Sequence, residues 1–236
     1  MRVRVGTSGY NFPEWKGTFY PAKLPASQML EYYGQRLSTV EVNYTFYRMP
    51  NEKAVTGWDQ ATPAGFTFVL KAPQRITHIA RLKEVDDTLR YFLEIARKLG
   101  AKLGPILFQL PPNFKKDLAR LGDLLTQFPA DLRCAWEFRH ASWFADDVYA
   151  ALRNANAALC VADTDAGHTP LTATADFGYV RLRDEGYKKK DLGEWAKTVQ
   201  ELGQGWGEAF IFFKHEESGI GPKLAQQFAG LLDQPA

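Results

Sequence analysis

Cysteine is scarce, with two residues in 236, Cys134 and Cys160. Each sits inside an apolar run with no CxxC spacing, which favours two small buried core residues over a disulfide or a cysteine-built metal site. Histidine is nearly as rare: His78, His140, His168 and His215 lack the paired spacing of zinc ligands. Net charge is lacking too. The 29 basic and 27 acidic residues nearly cancel, so bulk charge announces neither a nucleic-acid nor a membrane partner, and any anion binding must come from local clustering. No stretch approaches the ~20 apolar residues of a spanning helix, and the start, "MRVRVGTSGY", has no apolar run of signal-peptide length. A soluble, cytoplasmic protein with no membrane partner is therefore expected, and in that compartment the sequon Asn43-Tyr44-Thr45 carries no meaning. No Ser/Gly-rich linker or low-complexity tract divides the chain, so one domain over 1–236 is expected.

What the chain does have is apolar material in a repeating order. Hydrophobic residues make up 45% and aromatic residues 14%, enough for a sizeable core. Strand-like runs recur as "RVRVG" from Arg2, "TVEVN" from Thr39, "FTFVLK" from Phe66 and "PILFQL" from Pro105. They continue as "CAWEF" from Cys134, "ALCVAD" from Ala158, "GYVRLR" from Gly178 and "AFIFFK" from Ala209. Helix-like stretches separate them: Ser27–Arg36 with a serine cap, Asn51–Ala61 with an asparagine cap, and Val85–Leu99 with an apolar stripe ended by Gly100. Asp117–Phe128, Asp146–Asn154, Asp191–Leu202 and Pro222–Leu232 complete the set, and only the sixth crossover, Thr164–Phe177, reads as non-helical. Strands alternating with helices predict a parallel sheet with crossover helices, and eight such units at this length predict an α/β (β/α)8 barrel of TIM type. A doubly wound sheet is the competing architecture, but "GTSGY" lacks the spacing of its phosphate-binding glycine fingerprint.

Most strands are apolar until their C-terminal ends, where a polar residue appears. Glu41 and Asn43 finish the second, Lys71 the third, Gln109 the fourth and Glu137 with Arg139 the fifth. Asp163 finishes the sixth, Arg181 and Arg183 the seventh, and Lys214 or His215 the eighth. Side chains alternate along a strand, so Val40 and Val42 oppose Glu41 and Asn43, and Val180 and Leu182 oppose Arg181 and Arg183. In a barrel the apolar set meets the helices and the charged set points into the mouth, where active sites of this fold lie. Arg48 and Arg75 in the following loops add positive charge. An arginine surplus suits phosphate or carboxylate and disfavours a divalent cation; a dimetal site from Glu41, Glu137, Asp163 and a histidine is the lesser alternative, so neither metal nor cofactor is expected. Aromatics crowd the loops after the first, second and fifth strands. Most are expected to fold those loops over the barrel, with Tyr47 and Trp143 held out as ligand contacts. Lys71 is a Schiff-base candidate if desolvated, but an ion pair with Glu41 or Glu137 is the preferred expectation.

The motifs "VGTSGY", "TVEVNYTFYRMP", "KAPQRITH", "LGPILFQLPPNF", "EFRHASW" and "YVRLR" resemble, in order, those of the domain of unknown function 72 family, also called YecE-like. The resemblance runs from Val5 to about Phe213 and implies a single (β/α)8 barrel; it implies little about reaction. The family pattern has a His-Gly-like segment after the seventh strand and consecutive asparagines after the eighth. This chain has Arg183-Asp184-Glu185-Gly186 and Lys214-His215 there.

The rim residues lead to an expected enzyme acting on an anionic, phosphorylated substrate by acid/base chemistry. Glu137 is the expected general base or acid, with Glu41 its partner in the opposite protonation state. Lys71, Arg139 and Arg181 are expected to hold the anion, and Asn43 and Gln109 to orient it. Tyr47, Arg48, Trp143, Asp163, Arg183 and His215 complete the expected contacts. The alternatives are a nucleic-acid-binding or repair-associated barrel and a scaffold whose rim charges merely pair.

Overall fold

The computed structural model describes residues 1–164, 167–184, 186–216 and 219–232. Nine strands form: β1 (Arg2–Ser8), β2 (Thr39–Val42), β3 (Thr67–Lys71), β4 (Leu103–Gln109), β5 (Cys134–Glu137), β6 (Ala158–Thr164), β7 (Gly167–His168), β8 (Phe177–Leu182) and β9 (Glu208–Phe213). Eight of them run parallel in the order β5-β4-β3-β2-β1-β9-β8-β6, and β5 pairs with β6 to close the barrel. The two-residue β7 lies outside that count, antiparallel to β6.

Helices α1 (Met29–Gly34), α2 (Tyr44–Tyr47), α3 (Glu52–Gln60), α4 (Asp86–Ala96), α5 (Leu118–Gln127), α6 (Asp146–Asn154), α7 (Lys189–Leu202) and α8 (Ile220–Leu232) fill the connections. Local chemistry explains several boundaries. The Asn51 carboxamide accepts from the Ala54 amide at 2.9 Å and the Asp117 carboxylate from that of Arg120 at 3.1 Å, so α3 and α5 start where a side chain meets an orphan donor. Ser27 does not cap: it lies in a short turn, and α1 begins one residue beyond Gln28 with no side-chain cap. In α4, Leu89, Phe92, Leu93 and Ala96 form a buried stripe at helical spacing. Each large member of that stripe is worth roughly 1.5–3 kcal/mol of burial. Losing the Phe92 ring alone would cost about 3–5 kcal/mol.

The sixth crossover has no helix among its described residues. Instead it runs back along β6, on the side away from β8. There the Thr169 hydroxyl donates to the Cys160 carbonyl and accepts from the Ala162 amide. Thr174 does the same between the Ala157 carbonyl and the Leu159 amide. Thr169 thus provides partners for β6 backbone groups beyond Leu159, the last residue that β5, only four residues long, pairs with, while Thr174 ties down the start of the strand.

Strand alternation divides the core in two. Val40, Val42, Phe68, Leu70, Phe108, Trp136, Val180 and Ile211 belong to the large core under the helices. Val69, Leu107, Ala135, Cys160, Ala162, Tyr179, Phe210 and Phe212 fill the barrel interior. Both cysteines are free and buried. At Gly6 in β1, a Cβ would stand 2.1 Å from the Thr39 carbonyl oxygen, so only glycine lets β2 approach this closely. Above the apolar interior, the inward positions turn polar.

Candidate functional site

Glu41 lies near the end of β2, Glu137 ends β5 and Arg181 lies near the end of β8, all on inward positions; each is at most 1% exposed. The guanidinium spans the two carboxylates. Its Nη2 donates to Glu41 Oε1 at 2.8 Å and its Nη1 to Glu137 Oε2. The second oxygen of Glu41 accepts from the Tyr179 hydroxyl at 2.6 Å, and that of Glu137 from Arg139 Nε at 2.9 Å. Every carboxylate oxygen is therefore engaged, as burial requires. Burial by itself pushes the Glu137 carboxyl up, but the charges and hydrogen bonds of Arg181 and Arg139 outweigh it and hold it down at about 2.

Because one arginine takes both acids, Lys71 at the end of β3 is left over. The expected ion pair with Glu41 or Glu137 does not form. Lys71 is 8% exposed, and among the described residues no hydrogen bond or ion pair engages its Nζ, which sits 3.9 Å from the centroid of the Phe46 ring. Desolvation first, and then the nearby Arg181 charge, lower it from 10.5 to about 8, against the weaker pull of Glu41 and Glu137. The other buried lysine makes the contrast. Lys102 Nζ donates to the carbonyls of Asp59 and Thr62 at 2.6 and 2.8 Å and pairs with the Asp59 carboxylate at 3.0 Å.

Lys71 opens onto a cavity of about 820 Å3 over the C-terminal ends of the strands. Arg139, Arg181, Arg183, Lys214 and Gln109 line one side of it with Lys71. Tyr10, Phe12, Tyr44, Phe46, Tyr47 and Trp58 line it from the loops after β1 and β2 and from α3. Asn43 also lines it, and its Oδ1 is buried without a partner. His78 reaches the cavity from a single π-helical turn, Arg75–Ile79, and its ring lies 4.8 Å from that of Phe46. Burial and the neighbouring Lys71 and Arg139 charges lower His78 to about 4, so the imidazole is neutral at pH 7.

The expected residues divide into those that reach the cavity and those that do not. Glu41, Asn43, Tyr47, Lys71, Gln109, Glu137, Arg139, Arg181 and Arg183 converge at the mouth, with the two glutamates beneath the Arg181 guanidinium. Trp143 does not reach it. It is fully buried, its Nε1 donates to the Phe114 carbonyl at 2.7 Å, and its ring stacks on Phe138 at 4.8 Å. Arg48 is exposed and does not line the cavity, and Arg75 lines a separate shallow groove beside it. Asp163 falls on the wrong parity. The inward residues of β6 are Ala158, Cys160 and Ala162, so Asp163 faces away and accepts from the Arg183 amide and the Tyr187 hydroxyl. Burial and the charge of Asp184 raise it to about 6. His215 fails for the same reason: Phe210 and Phe212 point inward, so Lys214 follows them and His215 packs outside, its Nε2 2.6 Å from the Asp184 carbonyl oxygen. Glu185, one of the residues by which the sequence departs from the family pattern, lies outside the described residues.

The dimetal alternative loses its ligands on this geometry. Glu41 and Glu137 are bonded to Arg181, and Asp163 points elsewhere. Among the described residues, no group of three or more His, Cys, Asp or Glu is placed to hold a metal ion, and no helix is long and apolar enough to cross a membrane.

The chain is similar to the UPF0759 protein YecE of Escherichia coli K12, 30% identical over 144 residues; the match spans 61% of this chain and half the length of that relative. It is also similar to the UPF0759 protein YunF of Bacillus subtilis, 24% identical over 98% of this chain and 95% of that one. Among solved structures, a DUF72 family protein of Thermotoga maritima superimposes with a TM-score of 0.83 at 28% identity, covering 99% of this chain and all of the other. The family model described as "Protein of unknown function DUF72" matches residues 4–236, so the chain with this arginine-spanned floor and unpaired lysine belongs to that family.

Proposed function

We propose that the cavity at the barrel mouth is the active site of an enzyme. Its substrate is small and bears phosphate or carboxylate, the chemistry is acid–base, and Lys71 is the proton-transferring group. One observation carries the reading: Arg181 occupies both carboxylates of the floor, which leaves Lys71 without a counterion among the described residues, beside Arg139, Arg183 and Lys214. Among the described residues, five cations line the cavity against one lining carboxylate, Glu216, and the two beneath it. That surplus suits an anion, which guanidinium groups grip at two oxygens.

The division of roles differs from the one expected from sequence. Glu137, held at about 2, is too weak a base to take protons at neutral pH, so it and Glu41 act as fixed counterions for Arg181. Lys71 at about 8 lies in the range where a group both gives and accepts protons near pH 7. Asn43 and Gln109 offer amides to orient the substrate, and the aromatic side offers a surface for its less polar part.

The second reading is a nucleic-acid binder, favoured by Tyr44 and Tyr47, which are 46% and 73% exposed at the edge of the same cationic mouth. Calorimetric titration with inorganic phosphate, and with a short single-stranded oligonucleotide at rising salt, separates the two. Saturable phosphate binding that weakens in Arg183→Ala is the expected outcome. No phosphate binding, together with oligonucleotide affinity that falls steeply with salt, would transfer the site to the second reading.

A further inference from the structure

Few side chains combine deep burial, a positive charge and no partner, because such a charge is expensive to desolvate. Lys71 does so in a place where a small molecule can reach it. Its Nζ lies against the Phe46 face, and the acids that might have neutralised it are bonded to Arg181. Amines become nucleophiles in this setting, since burial and neighbouring cations favour the uncharged form.

We propose that Lys71 is an imine-forming lysine, whose Nζ attacks the carbonyl carbon of an aldehyde or ketone that also carries an anionic group. This rests on the anion-binding reading of the cavity, gives the Lys71 amine a covalent role in place of proton transfer, and adds the class of substrate and the bond made. The anionic group sits with Arg139, Arg183 and Lys214. Arg183 has donors to offer: its Nε is buried without a partner, and its Nη1 stands 3.9 Å from Glu137. The carbonyl then faces Lys71. In the addition the amine lone pair forms the C–N bond, the carbonyl π pair moves to oxygen, and a proton passes from nitrogen to that oxygen. The hydroxyl then takes up the proton that the ammonium released before attack and leaves as water, which gives the protonated imine. In net terms one lysine ammonium and one carbonyl give one protonated imine and one water, with no change of oxidation state. The iminium withdraws electrons from the adjoining carbon, so a proton or a carbon fragment there becomes labile. The buried, unpartnered Oδ1 of Asn43 is an acceptor for a hydroxyl or amine donor on the same molecule.

Substrates with phosphate and with carboxylate share this chemistry, and a trapping experiment distinguishes them. The full-length protein is incubated with pyridoxal 5′-phosphate, with pyridoxal, or with pyruvate, then reduced with sodium borohydride and mapped by peptide mass spectrometry. At pH 7 a lysine at about 8 has roughly three hundredfold more free amine than an ordinary one, so modification of Lys71 should exceed that of exposed Lys190 and Lys197 by at least about tenfold. Inorganic phosphate should compete with it. Pyridoxal 5′-phosphate outpacing pyridoxal points to a phosphate subsite; pyruvate trapping at the same lysine points to carboxylate. Lys71→Met should lose the adduct.

Modification of Lys71 no faster than of Lys190 and Lys197, with all three probes, overturns the proposal in the wild-type protein itself, whatever the variant does. If phosphate still binds under that result, only the imine chemistry fails and the anion site stands. If phosphate does not bind yet Lys71 is selectively trapped, the anion reading fails instead.

Discussion

Replacing Lys71 with methionine should make this protein more stable. Folding takes the ammonium into a site that lowers it from 10.5 to about 8. At about 1.4 kcal/mol for each tenfold change in proton affinity, that amounts to roughly 3 kcal/mol against the folded state at neutral pH. Water in the cavity and the lost contact with the Phe46 face reduce the net gain, so an increase of about 1–3 kcal/mol is expected. For a chain of this size that is several degrees in melting temperature, at about 2–4 °C per kcal/mol. The pH dependence is the sharper signature. Between pH 8 and pH 10.5 the unfolded lysine binds more protons than the folded one, so Lys71 makes wild-type stability rise with pH across that window. Below pH 8 its penalty is full; above pH 10.5 it is gone. Urea unfolding of both proteins at pH 7, 8, 9 and 10 measures the difference directly. It should be largest at pH 7 and shrink towards zero. A variant less stable than wild type at pH 7, or a difference that does not change with pH, would refute the unpaired ammonium.

Three further substitutions probe the floor and its margins. Arg181→Met should cost about 3–5 kcal/mol by leaving two buried carboxylates without their cation; because Arg181 also depresses Lys71, the pH dependence of trapping at Lys71 should move upward in the same protein. Trp143→Ala should cost a similar ~3–5 kcal/mol while leaving phosphate binding unchanged, which calorimetry on the folded variant checks. Asp163→Asn should remove a pH dependence. The folded carboxyl is raised from 3.8 to about 6, so wild-type stability falls as pH rises through that interval, and the variant should lack this decline in thermal melts between pH 4 and pH 6.5.

The barrel was legible because each strand carries its own apolar signature and each boundary its own turn or cap. Asn51 and Asp117 are caps by residue type and caps in the structure. The rim was legible wherever alternation was followed to the strand's last inward position, as at Glu41, Lys71, Glu137 and Arg181. It misled where alternation gave way to the mere presence of a charge. Counting by twos from Cys160 reaches Ala162, and from Phe210 reaches Lys214; Asp163 and His215 are one residue off. Trp143 shows a different limit: nothing local distinguishes an indole facing a ligand from one stacked on Phe138. His78 comes to the cavity through a π-helical turn, a conformation with no reliable sequence sign. Which acid would pair with which cation was also beyond the sequence, since Arg181 and Glu41 are 140 positions apart.

That last pairing decides the character of the site. A guanidinium presents several donors in one plane and can hold two carboxylates at once; an ammonium in its place is a single point of charge. With arginine at position 181 both acids are satisfied and fixed, and among the described residues no carboxylate remains for Lys71. A barrel mouth that needed only filling would be served as well by leucine at position 71, and apolar replacements of buried charges are commonly neutral or stabilising. An ammonium buried without a counterion is instead a stability loss built into the fold, and such losses gather where a ligand or a reaction completes the site. The floor and the lysine are thus one device: the arginine removes the counterions, and the amine is left reactive at the bottom of a cationic cavity.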